Sequence, residues 1–349
     1  YNRGLLWPQR FAVTLCGERD SVLRVNMTDT LVRIQLPFVP SLVLPNTDGR
    51  GYGLFVPDES ALKWLLAHWW EVKDDTARQS LLMTLYENYL AKHISADDWT
   101  NSLLAGLPAE KNALVASTVS GYLAGAMRRV APAQIAEVEA RVYAISRNHP
   151  LPSCRVQLLR YFMQNATSQP MVKELYALWQ EQSDKRLNQQ DYTTLAYELA
   201  IRLPAESEQI LRTQRARIDD PDRLRQFDFI SRAVVSDTAR LDTLFNSLLV
   251  AENRRIEPWT AAVIRYLNHP LREEQSVKYI RPGLEVLEEV QRTGDIFFPK
   301  NWASALLGNH LSRPAYEEVV RFLDGHPDYS PLLKNKILQA AYSLYREND

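Results

Sequence analysis

The chain has 349 residues, 46% of them apolar, and 41 basic against 42 acidic side chains leave a formal charge of -1. That balance supplies no general electrostatic pull toward nucleic acid or an anionic membrane surface, and no apolar run approaches the ~18 to 20 residues of a membrane-spanning helix. Cys16 and Cys154 are far apart and belong to no metal-binding spacing, so they read as buried or idle thiols and not as a disulfide scaffold.

Residues 1–57 read as a small antiparallel sheet or part of a β-sandwich. Short runs rich in branched and aromatic residues at 11–15, 22–27, 31–36, 42–44 and 52–56 are separated by Gly17, Asp20, Asp29, Pro37, Pro40, Asn46 and Gly49. Val32, Ile34 and Leu36 alternate with Arg33 and Gln35, which predicts a strand wet on one face and packed on the other. From Asp58 onward helical periodicity is nearly continuous. Leu62, Leu65, Leu66 and Trp69 mark one helix, and Leu81, Leu82, Leu85 and Tyr89 mark the next. Ser95 with Asp98 has the spacing of a capping box ahead of Trp99, Leu103 and Leu107. Ile135, Val138, Val142 and Ile145 form a further stripe behind Pro132. Breaks at His149-Pro150, Ser168 to Pro170, Pro204, His269-Pro270, Pro299, Pro314 and His326-Pro327 keep the helices short, about fifteen of them at the boundary precision a single sequence allows.

Residues 219–259 carry the densest pattern. Asp220 ahead of Pro221 predicts a capped helix start, with Leu224, Phe227, Ile230 and Val234 as its stripe. Ser236 and Asp237 offer a second cap, followed by Leu241, Leu244, Phe245, Leu248 and Leu249 at i, i+3, i+4, i+7 and i+8. Asn253 ends that stripe, and Glu257-Pro258 opens a third helix with Trp259, Ala262, Val263, Tyr266 and Leu267 on one face. The last part of the chain, with an apolar face through Leu333, Ile337, Ala341 and Leu344, reads as a terminal cap. Helix pairs recur at roughly 35 to 45 residues, the spacing of HEAT-type arrays. The predicted fold class is therefore mostly α. A HEAT-like solenoid, a superhelical array of antiparallel helix pairs with a concave surface, occupies 58–349, and a partial β-sandwich precedes it over 1–57.

The search for chemistry is largely negative. His68, His93, His149, His269, His310 and His326 are never four residues apart, so no H-E-x-x-H zinc motif exists. Three of them precede proline at a helix end, where a ring serves terminal carbonyls or lies in solvent. Asp74-Asp75, Asp97-Asp98 and Asp219-Asp220 sit at helix starts, where negative charge answers the helix dipole. The Gly49-Arg-Gly-Tyr-Gly53 segment reads as a turn between strands, since it lacks the lysine and serine or threonine of a nucleotide loop. Tryptophans 64, 69, 70, 99, 179, 259 and 302 fall mostly on helical stripes and read as core. Arg128-Arg129 and Arg254-Arg255 read as solvated helix ends.

Two segments carry a resemblance. The order D-D-P-x-R-L, then F-D-F, then V-S-D-x-x-R-x-D, then N-R-R followed by Trp, all within 219–259, resembles the C-terminal helical domain of M1-family zinc aminopeptidases. The start resembles the sandwich that precedes that domain. G-L-L-W-P at 4–8 looks like its middle, and L-P-N-T-D-G-R-G-Y-G-L-F-V-P-D matches the segment leading into the first helix at Asn46, Gly51, Tyr52 and Asp58 while departing at Phe55 and Pro57. The family's G-x-M-E-N motif is absent, because Gly125-Ala-Met-Arg-Arg129 places Arg128 where the glutamate would bind a peptide's ammonium.

The resemblance implies that further strands and a zinc-binding catalytic domain precede this region in the same polypeptide. This chain would then be the non-catalytic C-terminal part, with no cofactor, metal or catalytic residue of its own, covering the active site and limiting access of peptide substrates. Arg254 and Arg255 are the only candidate substrate-facing residues, placed for a peptide's carboxylate. The alternative is a stand-alone helical-repeat scaffold that binds a protein or peptide on its concave face.

Overall fold

A computed structural model describes residues 7–348; Gly4, Leu5 and Leu6 of the G-L-L-W-P segment lie outside them. Helix accounts for 65% of the chain, which makes the fold mostly α, with a small antiparallel sheet ahead of the helices. Two compact units divide it, Tyr1–Glu174 and Leu175–Asp349. The sheet therefore shares a unit with the helices that directly follow it.

The sheet has three strands, β1 (Gln9–Cys16), β2 (Ser21–Met27) and β3 (Leu42–Leu44), in the order β2-β1-β3. Phe11 faces Val25 and Leu15 faces Val43 across the ladders. Alternation sends Phe11, Val13 and Leu15 to one side, where they form a small core with Leu23, Val25, Phe38 and Val43.

Two predicted strands are not strands. Residues 31–36 are irregular, with Leu31, Ile34 and Leu36 exposed. The alternation is there, but the segment joins none of the three paired strands. The stretch instead delivers Phe38 to the core, so close to Gly17 that a Cβ there would stand 2.9 Å from the ring. Residues 52–56 are also irregular, because side chains replace a ladder. The Gln9 amide both accepts from Tyr52 N (2.6 Å) and donates to Tyr52 O (2.9 Å), and Asn88 Nδ2 donates to Phe55 O (2.8 Å). The glycine-rich segment is thus a turn leading from a strand toward a helix, with Asn46, Gly49 and Gly53 at positive φ.

Helices α1 (Glu59–His68), α2 (Asp75–Leu90), α3 (Ala96–Gly106), α4 (Ala113–Met127), α5 (Ile135–Asn148) and α6 (Pro152–Asn165) complete the first unit, and α7 (Gln169–Glu181) carries the chain into the second. Asp58, Asp74, Ser95 and Asn112 each accept a first-turn amide, which fixes where four of these helices begin. At Ser95 the cap is real but the reciprocal box is not, because the Asp98 carboxylate takes the Ser95 hydroxyl (2.7 Å) and not the backbone N–H. A complete box occurs at Asn188 and Asp191 instead.

The second unit contains α8 (Gln189–Arg202), α9 (Ser207–Arg215), α10 (Pro221–Ile230), α11 (Thr238–Leu248), α12 (Glu257–Leu267), α13 (Glu273–Ser276), α14 (Ile280–Glu285), α15 (Leu287–Thr293), α16 (Phe298–Leu307), α17 (Arg313–Gly325), α18 (Pro331–Ala340) and α19 (Tyr342–Asn348). Asp220 and Asp237 cap α10 and α11, with Pro221 in the first turn of α10, as the sequence predicts. In α12 the buried stripe is Ala261, Val263, Ile264 and Leu267, so Trp259 and Ala262 lie one position off it.

Within each unit helices touch both the next helix and the next but one. Examples are α3 with α4 and α4 with α6, then α11 with α12, α10 with α12, and α16 with α18. Polar contacts show the repeat length directly. Trp69 Nε1 donates to Ser102 O, His149 Nε2 meets Leu107 O, Trp179 Nε1 donates to Gln214 Oε1, and His310 Nε2 meets Asn268 Oδ1. Their sequence separations run from 33 to 42 residues, the period of a stacked helix pair.

The second unit's core centres on Trp302, fully buried, with Nε1 donating to Gly283 O (2.8 Å) and Phe298 meeting its ring edge-on. Trp302→Phe removes that donor and leaves a void. We expect a loss of roughly 2 kcal/mol in chemical denaturation, whereas exposed Leu332→Ser on α18 changes stability by less than about 0.5 kcal/mol.

Candidate functional site

The two candidate arginines have different environments. Arg254 ends the 3-10 turn Ala251–Arg254, which turns its side chain inward, and the residue is 3% exposed. Its guanidinium donates to Leu248 O (3.1 Å) and Leu249 O (2.8 Å), the unsatisfied carbonyls at the end of α11, and to Glu289 Oε1 (2.6 Å) on α15. It also lies 5.8 Å from the Trp302 ring centroid. Arg254 is a buried staple and not a substrate-facing cation, which corrects the expectation for it. Arg255 is exposed. Arg129 reaches back to Gly125 O (3.3 Å) at the end of α4.

The histidines before proline are buried to different degrees. His149 is 2% exposed, with Nε2 against Leu107 O (2.8 Å) and Nδ1 accepting from Leu151 N (3.1 Å). His269 repeats the local geometry, Nδ1 accepting from Leu271 N (3.1 Å), while Nε2 meets the Glu198 carboxylate (3.2 Å). The sequence gives no hint of that partner, which lies 71 residues away. His326 Nδ1 sits 2.7 Å from Phe322 O at the end of α17. Among the described residues no three His, Cys, Asp or Glu side chains converge to hold a metal ion.

Glu198, Arg202 and His269 form a buried ionic cluster, with Arg202 Nη1 2.5 Å from Glu198 Oε2. Burial alone would raise the Glu198 pKa, but Arg202 and His269 outweigh it and hold the carboxyl below its usual range. Arg272 extends the cluster outward by donating to the carbonyls of Ala233, Val234 and Val235.

A second device recurs, in which a carboxylate closes the start of a helix one repeat away. Glu139 on α5 accepts from Thr167 N (2.6 Å) and Ser168 N (2.9 Å) ahead of α7. Glu273 on α13 accepts from Leu311 N (2.5 Å) and Ser312 N (2.7 Å) ahead of α17. Burial of Glu273 works against ionisation, yet the His310 ring and these amides bring its pKa down to about 2. His310 Nδ1 stands 3.7 Å away, so the two short amide contacts are the stronger geometric cause.

Two surface features are not absorbed by packing. The first is a cleft of about 260 Å³ between the start of α8 and residues 217–227. Gln189, Gln190 and Gln226 stand on its walls, Tyr197 and Phe227 line its apolar part, and Arg217, Asp219, Asp220 and Arg223 supply two charges of each sign. Arg217 is committed to Trp179 O (3.0 Å) and Gln180 O (3.2 Å), and Asp220 to its cap. The second is the sheet end of the first unit. Among the described residues, nine of the eighteen large apolar side chains that stay exposed lie between Trp7 and Val56, with Val39 95% and Tyr52 91% exposed. A groove of about 490 Å³ on the sheet is lined by Arg10, Val22, Arg24 and Arg50.

No protein-family model matches the chain, and the search of curated proteins returned no match.

Glu273→Gln tests the capping device. Because the folded pKa of about 2 lies below the ordinary value of 4.5, its stabilisation is complete above pH 4.5 and fades as pH falls toward 2. The variant should lose roughly 2 kcal/mol at pH 7. Its deficit should shrink toward zero in denaturation curves taken at pH 2 to 3, below the carboxyl's ordinary value.

Proposed function

We propose that this chain is the non-catalytic C-terminal part of an M1-like zinc metallo-aminopeptidase, a helical-repeat region that covers the active site and limits peptide access. The zinc and the catalytic residues belong to other domains of the same polypeptide, and peptides are its substrates. The observation that carries the reading is the concentration of exposed apolar side chains on the sheet end. A patch of that kind on an otherwise well-packed chain marks an interaction surface, and β2 leaves an open edge beside it.

The residues that carry the family resemblance support the same reading by building the joint between sheet and helices. The Asn46 amide brackets Gly51 through Gly51 N (2.7 Å) and Gly51 O (3.2 Å). Ser80 Oγ on α2 donates to Asn46 O (2.5 Å), Gln9 clasps Tyr52, and Asp58 caps α1. A sheet fixed this way to the first helices transmits the position of whatever docks on it to the helical part. The buried charges of the second unit are neutralised within it, which suits a region that shapes access and does no bond chemistry.

The reading makes a sequence prediction and a biochemical one. The natural polypeptide carries H-E-x-x-H upstream of Tyr1; a polypeptide without that motif contradicts the reading and leaves the scaffold alternative. Removing residues 58–349 from that polypeptide should alter the ratio of kcat/KM for long against short peptides, and an unchanged ratio would count against a role in access.

A further inference from the structure

The cleft beside α10 has properties that packing does not explain. Tyr197 is 3% exposed, and its ring is fixed by stacking on Phe227 (5.3 Å between centroids) and an edge contact with Tyr266. Its hydroxyl makes no hydrogen bond among the described residues and is not one of the fully enclosed polar atoms, so the ring is buried while the oxygen stays open to solvent. The residue lines the cleft, so the cleft is where a partner for that oxygen can enter. Burial also pushes the phenol pKa upward, which keeps it a neutral donor. Thr193, the other hydroxyl there, is already committed to Gln189 O and Gln214 Nε2.

The rim sorts ligands by charge. Asp220 and Arg217 are occupied as described above, which leaves the Asp219 carboxylate and the Arg223 guanidinium without a hydrogen bond among the described residues. A simple anion such as phosphate would sit against Asp219 and Asp220, and a simple amine against Arg217 and Arg223. A ligand bearing both charges satisfies both free groups. The amides of Gln189, Gln190 and Gln226 each offer a donor and an acceptor, matching the peptide group, while Ile218 and Phe227 give an apolar wall. A volume of about 260 Å³ falls just below the usual ~300 to 1,000 Å³ of small-molecule sites, so the occupant is small.

We propose that this cleft binds a free α-amino acid or a dipeptide, with the ammonium at Asp219, the carboxylate at Arg223, the peptide or α-polar atoms at the glutamine amides and the Tyr197 hydroxyl, and the side chain against Ile218 and Phe227. The inference stands on the cleft alone and does not depend on the peptidase reading.

Isothermal titration of the purified chain with L-leucine, L-phenylalanine and the dipeptide glycyl-leucine tests it, with leucinamide and N-acetyl-leucine as single-charge controls. Saturable binding of at least one zwitterion is expected, with each control at least about tenfold weaker. Tyr197→Phe should weaken binding by about threefold to tenfold without changing Tm appreciably. Arg223→Ala, at an exposed position, should abolish the preference for leucine over leucinamide. Absence of binding for all three zwitterions up to about 10 mM, controls that bind as well as leucine, or an Arg223→Ala variant that keeps the preference would each overturn the proposal.

Discussion

Every helix leaves about four amides and four carbonyls unpaired at its ends, and in a stacked array many of those ends are covered by the neighbouring pair and cannot turn to water. The structure meets this constraint with side chains sent across the stack. Glu139 and Glu273 close helix starts, while Arg254, Arg272 and His149 close helix ends or turns. The Glu139, Glu273, Arg272 and His149 contacts join residues 28 to 42 positions apart, and Arg254, which caps its own neighbouring helix end, reaches Glu289 35 positions on, so these contacts satisfy the backbone and also fix the register of one pair on the next. Removing one partner leaves a buried charge or amide exposed to a medium that cannot solvate it.

That constraint shapes what the chain is able to do. The side chains that would attract attention as catalytic candidates, a Glu-Arg-His cluster at Glu198, Arg202 and His269 and an arginine over a tryptophan at Arg254, are the ones most fully used in holding the stack. Groups left uncommitted collect elsewhere. Polar ones gather at the cleft beside α10, and apolar ones at the sheet end of the first unit. These are the two places proposed above for recognition, the cleft for a small zwitterion and the sheet end for a larger partner surface.

Much of the architecture was legible because it is written in local pattern. The caps at Asp220 and Asp237 and the stripe through Leu333, Ile337, Ala341 and Leu344 depend on residues within one or two turns, and all are present. What failed to read was decided at a distance. The alternation at 31–36 looks like a strand, but a strand exists only where another pairs with it, and this segment joins none of the three. Arg254 and Arg255 are indistinguishable in sequence, and only the geometry of one 3-10 turn sends the first inward and the second to solvent. The partner of His269 lies 71 residues away, and the cleft joins the start of α8 to the start of α10, a juxtaposition that no local pattern displays.

The central claim is that the sheet end of the first unit is an occupied surface in the working protein, the seat of its remaining domains. Hydrogen exchange, followed by mass spectrometry on this chain alone and on the natural polypeptide at full extent, tests it most directly. The account predicts that amides of β2 and of residues 31–39 and 52–56 exchange markedly more slowly in the full polypeptide, while the helices of the second unit keep their rates. Equal exchange of those sheet-end segments in the two preparations would contradict it.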